Sequence, residues 1–372
     1  MEGSPRSLRT VTFVGTYPPT RCGLATFGRS LRDGFTANGI DSDRLPVLAI
    51  TSGDEPHFPS EVVGTIRMDN SDFIAADTDA AILQHEFGIY GRNDGMAVLD
   101  LIEALDVPTL SVLHTVPEHP SPRQRMILEG IAERSIATVV MGQSAHKRLS
   151  DHYRMVDSPS IIPHGAWPRP RRRWATRPMI LTWGLLGPGK GIEKGIRALP
   201  ALRSLEPTPI YVIAGQTHPS VLRASGEEYR HSLEELAREL GVSDLVRFVN
   251  RYLTDAELVR LRQQAWVCLL PYDNHEQVTS GALVEAVAAE VPVVATRFSH
   301  AEELLSNGAG ILVDETDRGA IPDAISQLLT NRRVQMVARS ALRRLQAEHA
   351  WPSVAARYEG LLALSSVGAG AA

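Results

Sequence analysis

The sequence predicts a doubly wound α/β protein built as two Rossmann-like domains. Three observations carry the prediction. Short apolar, β-branched runs alternate with helical patterns, the signature of strands and crossover helices in a parallel sheet. The alternation stops at a stretch rich in Pro and Arg and then starts again. The chain has 372 residues, more than one ordinary domain needs and enough for two separate cores.

In the first half, VTFVG at 11–15, AILQH at 81–85, TLSVLH at 109–114 and TVVMG at 138–142 read as buried strands. Helices are expected at 25–37, 93–104 and 121–134. The segment PRPRRRWATRP, 168–178, has no periodicity and reads as a linker or hinge. The second set of strands is MILTWG at 179–184, IYVIAG at 210–215, VRFVN at 246–250, WVCLLP at 266–271 and VPVVAT at 291–296. Helices near 192–204, 227–240, 255–264 and 281–290 lie between them. An amphipathic helix at about 350–364 ends in SSVGAGAA, a tail expected to fray. The expected division is a domain over 1–167, the linker, a domain over 179–348, and a C-terminal segment over 349–372. Two such domains suggest a ligand held in a cleft, since open α/β sheets bind beyond the carboxyl ends of their strands.

Composition narrows the function classes. A formal net charge of -5 offers no global field for nucleic acid. Cys22 and Cys268 form no CxxC pattern, which argues against a disulfide framework or a cysteine zinc site. No HExxH or comparable spacing suggests a metal site. The opening MEGSPRSLRT lacks a signal peptide's apolar core, and no apolar run is long enough to cross a bilayer. A cytoplasmic protein is the expectation. The basic groups RQR at 123–125 and RPRRR at 169–173 are short and read as solvated charge.

Four segments carry candidate chemistry. In GTYPPTRCGLATF, 15–27, a strand ends at Gly15 and a helix opens near Gly23, whose amides can face an anion. A plain strand-to-helix turn explains that segment equally well. In LLGPGKG, 185–191, three glycines keep a loop open and Lys190 adds a point charge, which suits a diphosphate. The competing reading is an exposed lysine in a turn. EQVTSGALVEAVAAEVPVVAT, 276–296, is the most specific. A polar loop opens a helix at Gly281, and Glu285 follows one turn later, where a carboxylate can take ribose hydroxyls. Gln277 can reach sugar hydroxyls from the loop. Without a ligand, Glu285 reads as a dipole-complementing charge and Gln277 as a loop cap. His85 and Glu86 end one strand and His114 the next, at the carboxyl ends where a site is expected, although a strand-end histidine is commonly structural. His164, in IIPHG, marks the crossing towards the linker and is the weaker candidate.

In series, these segments resemble the retaining glycosyltransferases of family four, which have the GT-B fold. The resemblance spans nearly the whole chain. It runs through the first glycine loop, His114, SAHKRL and IIPHG, GPGKG, VRFVNRYLTDAEL, and the carboxylate helix before PVVAT. It implies a hexosyltransferase taking its sugar from a UDP-, GDP- or ADP-linked donor, with no cofactor or metal and a hydroxyl acceptor such as a small sugar, polyol or natural-product core. It implies that Lys190 and Gly189 contact the diphosphate, that the backbone of Ser280, Gly281 and Ala282 faces the phosphates, and that Glu285 holds the ribose. Asn250, Arg251 and Tyr252 would lie near the nucleobase. Gly23 would lie near donor phosphate or acceptor, and His114 near the transferred sugar. Arg21, His85 and Glu86 complete the expected acceptor side, and the helix near Trp351 would return to the first domain. Two positions depart from the family pattern: Gln277 stands where a first Glu is usual, and Leu185 where an Arg is usual, with Arg21 or Arg251 as candidate replacements. They keep two other readings open, a GT-B nucleotide-sugar 2-epimerase and a non-catalytic nucleotide-sugar-binding protein. Peripheral contact with a membrane also stays open.

Overall fold

The computed structural model describes residues 10–51, 53, 57–67, 78–168, 175–314, 316, 317 and 319–368. The chain divides into two units, one of residues 1–166 with 348–372 and one of 167–347. Residues 169–174, and with them RPRRR and most of the expected linker, lie outside the described residues, as do most of the opening segment and the last four residues of the tail.

The first unit is a seven-stranded parallel sheet. Its strands are β1 Val11–Gly15, β2 Val47–Thr51, β3 Val62–Arg67, β4 Ala80–His85, β5 Thr109–Leu113, β6 Ala137–Val140 and β7 Ser160–Ile161, in the order β3-β2-β1-β4-β5-β6-β7. β1, β4 and β5 are buried along their whole length, as strands covered on both faces must be. The helix expected at 93–104 is instead two pieces, Arg92–Gly95 and Val98–Leu105. Asn93 and Asp94 have φ of 60° and 58°, and such left-handed residues break a helix.

The second unit has six parallel strands: β8 Met179–Trp183, β9 Ile210–Ala214, β10 Val246–Val249, β11 Val267–Leu270, β12 Val293–Thr296 and β13 Gly310–Val313. Their order is β10-β9-β8-β11-β12-β13. In each sheet the order reverses once, between β1 and β4 and between β8 and β11. Loops leaving the carboxyl ends of such a pair splay apart and leave a crevice for ligand.

The C-terminal helix Trp351–Gly368 packs on the helix Gly23–Ala37 of the same unit. A Cβ on Gly34 would stand 2.8 Å from the Trp351 carbonyl oxygen, so the approach requires glycine there. Asn38 donates from Nδ2 to the Pro352 carbonyl at 2.9 Å and closes the contact. Trp351, Val354, Ala355 and Tyr358 thereby complete the core begun by Phe13, Phe27, Leu31 and Phe35.

Candidate active site

The second unit gathers most of the sequence-derived residues at its β8/β11 reversal. The loop after β8 carries Gly187, Gly189, Lys190 and Gly191; the loop after β11 runs from Pro271 to Ser280. They are stitched together. Asp273 donates its backbone N–H to the Gly189 carbonyl at 3.0 Å, and Lys194 pairs with Asp273 at 2.6 Å. Gly191 has a φ of 60°, and a Cβ there would lie 1.8 Å from the Pro271 carbonyl oxygen. Glycine is therefore the residue that lets these loops touch. Lys190 Nζ sits 4.4 Å from the centroid of Tyr272, whose buried ring stacks on Phe298. The lysine is aimed by an aromatic face rather than by a carboxylate, which leaves its charge for another anion.

The helix Gly281–Ala288 starts at Ser280, whose hydroxyl accepts from the Leu283 N–H. The Ser280 amide itself donates to Nδ1 of the buried His300 at 2.8 Å. That corrects the expectation of a phosphate contact there, because this N–H is already satisfied. The amides of Gly281 and Ala282 have no hydrogen-bond partner among the described residues, and they remain the donors of this helix start. Gln277 donates from Nε2 to the Thr279 carbonyl at 2.8 Å and so shapes the loop. Glu285, half-buried, accepts at Oε2 from the Trp183 indole N–H at 3.0 Å and from Arg262.

The nucleobase trio is placed less tightly. Asn250 accepts at Oδ1 from buried Arg230, which also binds Glu227, Thr217 and the Gly215 carbonyl. Arg251 forms a two-pronged ion pair with Glu257, at 2.9 and 2.5 Å. Leu185, where an arginine was expected, is half-buried. Tyr252 is exposed.

In the first unit, Gly23 opens the helix Gly23–Ala37 behind Cys22, whose Sγ accepts from the Ala25 N–H. Gly23 and Arg21 are exposed. His114 lies beyond β5, half-buried, with Nε2 at 2.6 Å from Gln84 Oε1. Burial, with His164 and His85 nearby, pushes its pKa down to about 3. With Gln84 Oε1 as its partner, the neutral ring donates from Nε2 and keeps Nδ1 as an acceptor. Phe27 sets its ring against His114 at 4.7 Å, His164 at 5.0 Å and Trp351 at 5.0 Å. Glu86 accepts from the Thr115 hydroxyl and the Phe87 N–H, and burial raises its pKa. His85 corrects a sequence expectation. Its ring is fully buried, stacked on Tyr90, with neither nitrogen hydrogen-bonded, and its carbonyl is taken by the His114 N–H. It cannot reach an acceptor and belongs to the core. His164 turns Nδ1 to the Gly165 carbonyl, and its own carbonyl accepts from His349.

Residues 167–344 match the family model described as glycosyl transferases group 1. The match takes in just under half of the chain, the second unit, which is thereby similar to the group 1 glycosyl transferases. The chain is 42% identical over 137 residues to the D-inositol 3-phosphate glycosyltransferase of Corynebacterium urealyticum, covering 36% of this chain and 29% of that protein. It is 34% identical over 171 residues to the GDP-mannose-dependent alpha-(1-6)-phosphatidylinositol monomannoside mannosyltransferase of Mycolicibacterium smegmatis, covering 44% and 42%. The alignments thus span less than half the length of these relatives. In fold, the chain is similar to the sucrose-phosphate synthase of Thermosynechococcus elongatus, with a TM-score of 0.74 at 18% identity over 97% of this chain and 100% of that one. Anabaena HepE, in complex with UDP and glucose, gives 0.72 at 14% identity over 95% and 99%. The fold is therefore GT-B. No described helix is long and apolar enough to cross a membrane.

Several site-building residues carry no sequence signal of their own. Trp183, Arg262 and His300 come from three separate elements and Tyr272 from the loop after β11, and only the folded sheet brings them together.

Proposed function

We propose that the chain is a retaining hexosyltransferase that moves a sugar from a nucleoside diphosphate donor to a hydroxyl acceptor. The observation that supports this most is the pairing of the glycine-rich loop after β8 with the polar loop after β11 at the β8/β11 reversal, with Lys190 on the first and the Gly281 and Ala282 amides and Glu285 on the helix that follows the second. Lys190 and the two amides take the diphosphate, and Glu285 takes the ribose. A Cβ on Gly23 would meet no protein atom within 4 Å, so the fold alone does not demand glycine there. A phosphate or sugar resting on that helix start supplies the reason.

In the reaction, the acceptor oxygen bonds to the anomeric carbon on the face that the diphosphate leaves. The bond from that carbon to the phosphate oxygen breaks, and the hydroxyl proton passes to the departing phosphate oxygen. Charge grows on the diphosphate, where Lys190 and the amides are already aimed; such preorganised donors are commonly the largest catalytic term. Neutral His114 accepts a hydroxyl of the transferred sugar at Nδ1, and Glu86 with Thr115 orients the acceptor. No step needs a bound metal. The names of the relatives suggest a cyclic polyol or its phosphate as acceptor and GDP-mannose among the donors to try.

Calorimetry with UDP-, GDP- and ADP-sugars, in the presence of EDTA, tests the donor site. One donor class is expected to bind, and Lys190→Ala or Glu285→Ala to weaken it about 10- to 100-fold, as for loss of a charged hydrogen bond. Binding indifferent to both substitutions would sink the assignment. With the donor known, NMR of the product's anomeric configuration tests retention.

A further inference from the structure

Glu285 is held by residues from two other elements. Trp183, the last residue of β8, and Arg262, on the helix Asp255–Gln264, both donate to the same oxygen, Oε2. Arg262 is 5% exposed. Its guanidinium stacks 5.4 Å from the Trp183 ring centroid, and its Nε donates to the Leu258 carbonyl at 3.2 Å. Burying a guanidinium is costly, and a surface arginine would serve the helix as well. The two donors occupy the two lone-pair positions of Oε2. Oε1 has no hydrogen-bond partner among the described residues.

We propose that Arg262 is a positioning residue for the sugar ring of the nucleotide: with Trp183 it locks one carboxylate oxygen of Glu285 and leaves Oε1 to take one hydroxyl strongly. The inference rests on the reading of Glu285 as the ribose contact. A symmetric grip on two vicinal hydroxyls uses one carboxylate oxygen for each. Here one oxygen is spent inside the protein; Oε1 keeps two lone pairs, but with Oε2 pinned the carboxylate cannot turn to centre itself on both hydroxyls, so it grips the nearer one more strongly than its neighbour. Arg262 also balances the carboxylate charge, which would otherwise stand near the incoming diphosphate.

The test is calorimetric. The probes are whichever of UDP, GDP and ADP binds best, with its 2′-deoxy and 3′-deoxy analogues. The wild-type chain is expected to bind one deoxy analogue about 10-fold or more weakly and the other within about 2-fold, the span of one hydrogen bond to a charged group. In Arg262→Met, which fills similar space without a donor, the carboxylate is released and the two analogues converge to within about 3-fold of each other. Arg262→Lys restores part of the difference, and Trp183→Phe, a milder change, shifts it the same way. Circular dichroism melts check that each variant folds. Equal losses with both analogues in the wild-type chain, or undiminished discrimination in folded Arg262→Met, would overturn the inference. Binding unaffected by Glu285→Ala, or no binding of any diphosphate, removes the donor reading and this inference together. Weakening by Glu285→Ala with none of the Arg262 effects overturns this inference alone.

Discussion

His85 shows how one buried side chain sets a response of the whole chain to acid. Desolvation lowers its folded pKa to about 3 from 6.5. Between those values the unfolded chain binds the extra proton and the folded chain does not. The stability that the neutral ring permits is therefore full above pH 6.5 and drains as pH falls below it, by up to about 1.4 kcal/mol per pH unit. Urea melts at pH 7.5 and 5.5 are expected to differ less in His85→Leu than in the wild-type chain; an unchanged difference would put the acid sensitivity elsewhere. The same residue marks a limit of reading the sequence. A histidine at a strand's carboxyl end looks the same whether its ring faces ligand or core, and alternation along β4 does not decide it, since every residue of that strand is buried. His114, one strand over, is half-buried beside Phe27 and Gln84.

At the scale of elements, the loops after β8 and β11 were legible because their chemistry is local: a strand, then glycines or polar residues, then a helix start. What the loops do to one another was not. The contact between Gly191 and the Pro271 carbonyl joins segments eighty positions apart. Gly191→Ala is expected to destabilise the chain by at least about 2 kcal/mol, from left-handed strain and backbone collision, and to weaken donor binding along with it. A variant with unchanged melting temperature would refute the close approach. The helix Asp255–Gln264 begins with a reciprocal cap, Thr254 and Glu257, and Glu257 also anchors Arg251. Thr254→Ala should cost about 1 kcal/mol in thermal melts. Edge strands were the harder elements to read. Val62–Arg67 has a single buried residue and Gly310–Val313 another, so neither shows the continuous apolar run that marks β1 or β11. Val47–Thr51 has that run, behind Pro46, yet is absent from the sequence-derived set.

For the whole molecule, the alternation of strands and helices carried the doubly wound class, and the interruption near residue 168 carried the presence of two sheets. Both follow from burial on two faces, which the composition of a strand records directly. The C-terminal helix belongs to the first unit although it follows the second in sequence. Trp351 is nearly fully buried against Phe27, and a Cβ on Gly165 would come within 2.3 Å of its ring. Trp351→Ala should cost about 3–5 kcal/mol. Hydrogen exchange is expected to speed up in β1, β4 and the helix Gly23–Ala37 and to stay unchanged in β8, β11 and β12. Uniform acceleration across both sheets would contradict that division.

That helix also sets an order of events during synthesis. The ribosome must add all of residues 167–347 before the segment that covers the helix Gly23–Ala37 exists. At about 5–20 residues per second the delay is roughly ten to forty seconds. Through that interval the face around Phe35 waits without its partner, open to chaperones or to a neighbouring nascent chain. The second unit is complete in sequence at residue 347, before the helix that completes the first has been made.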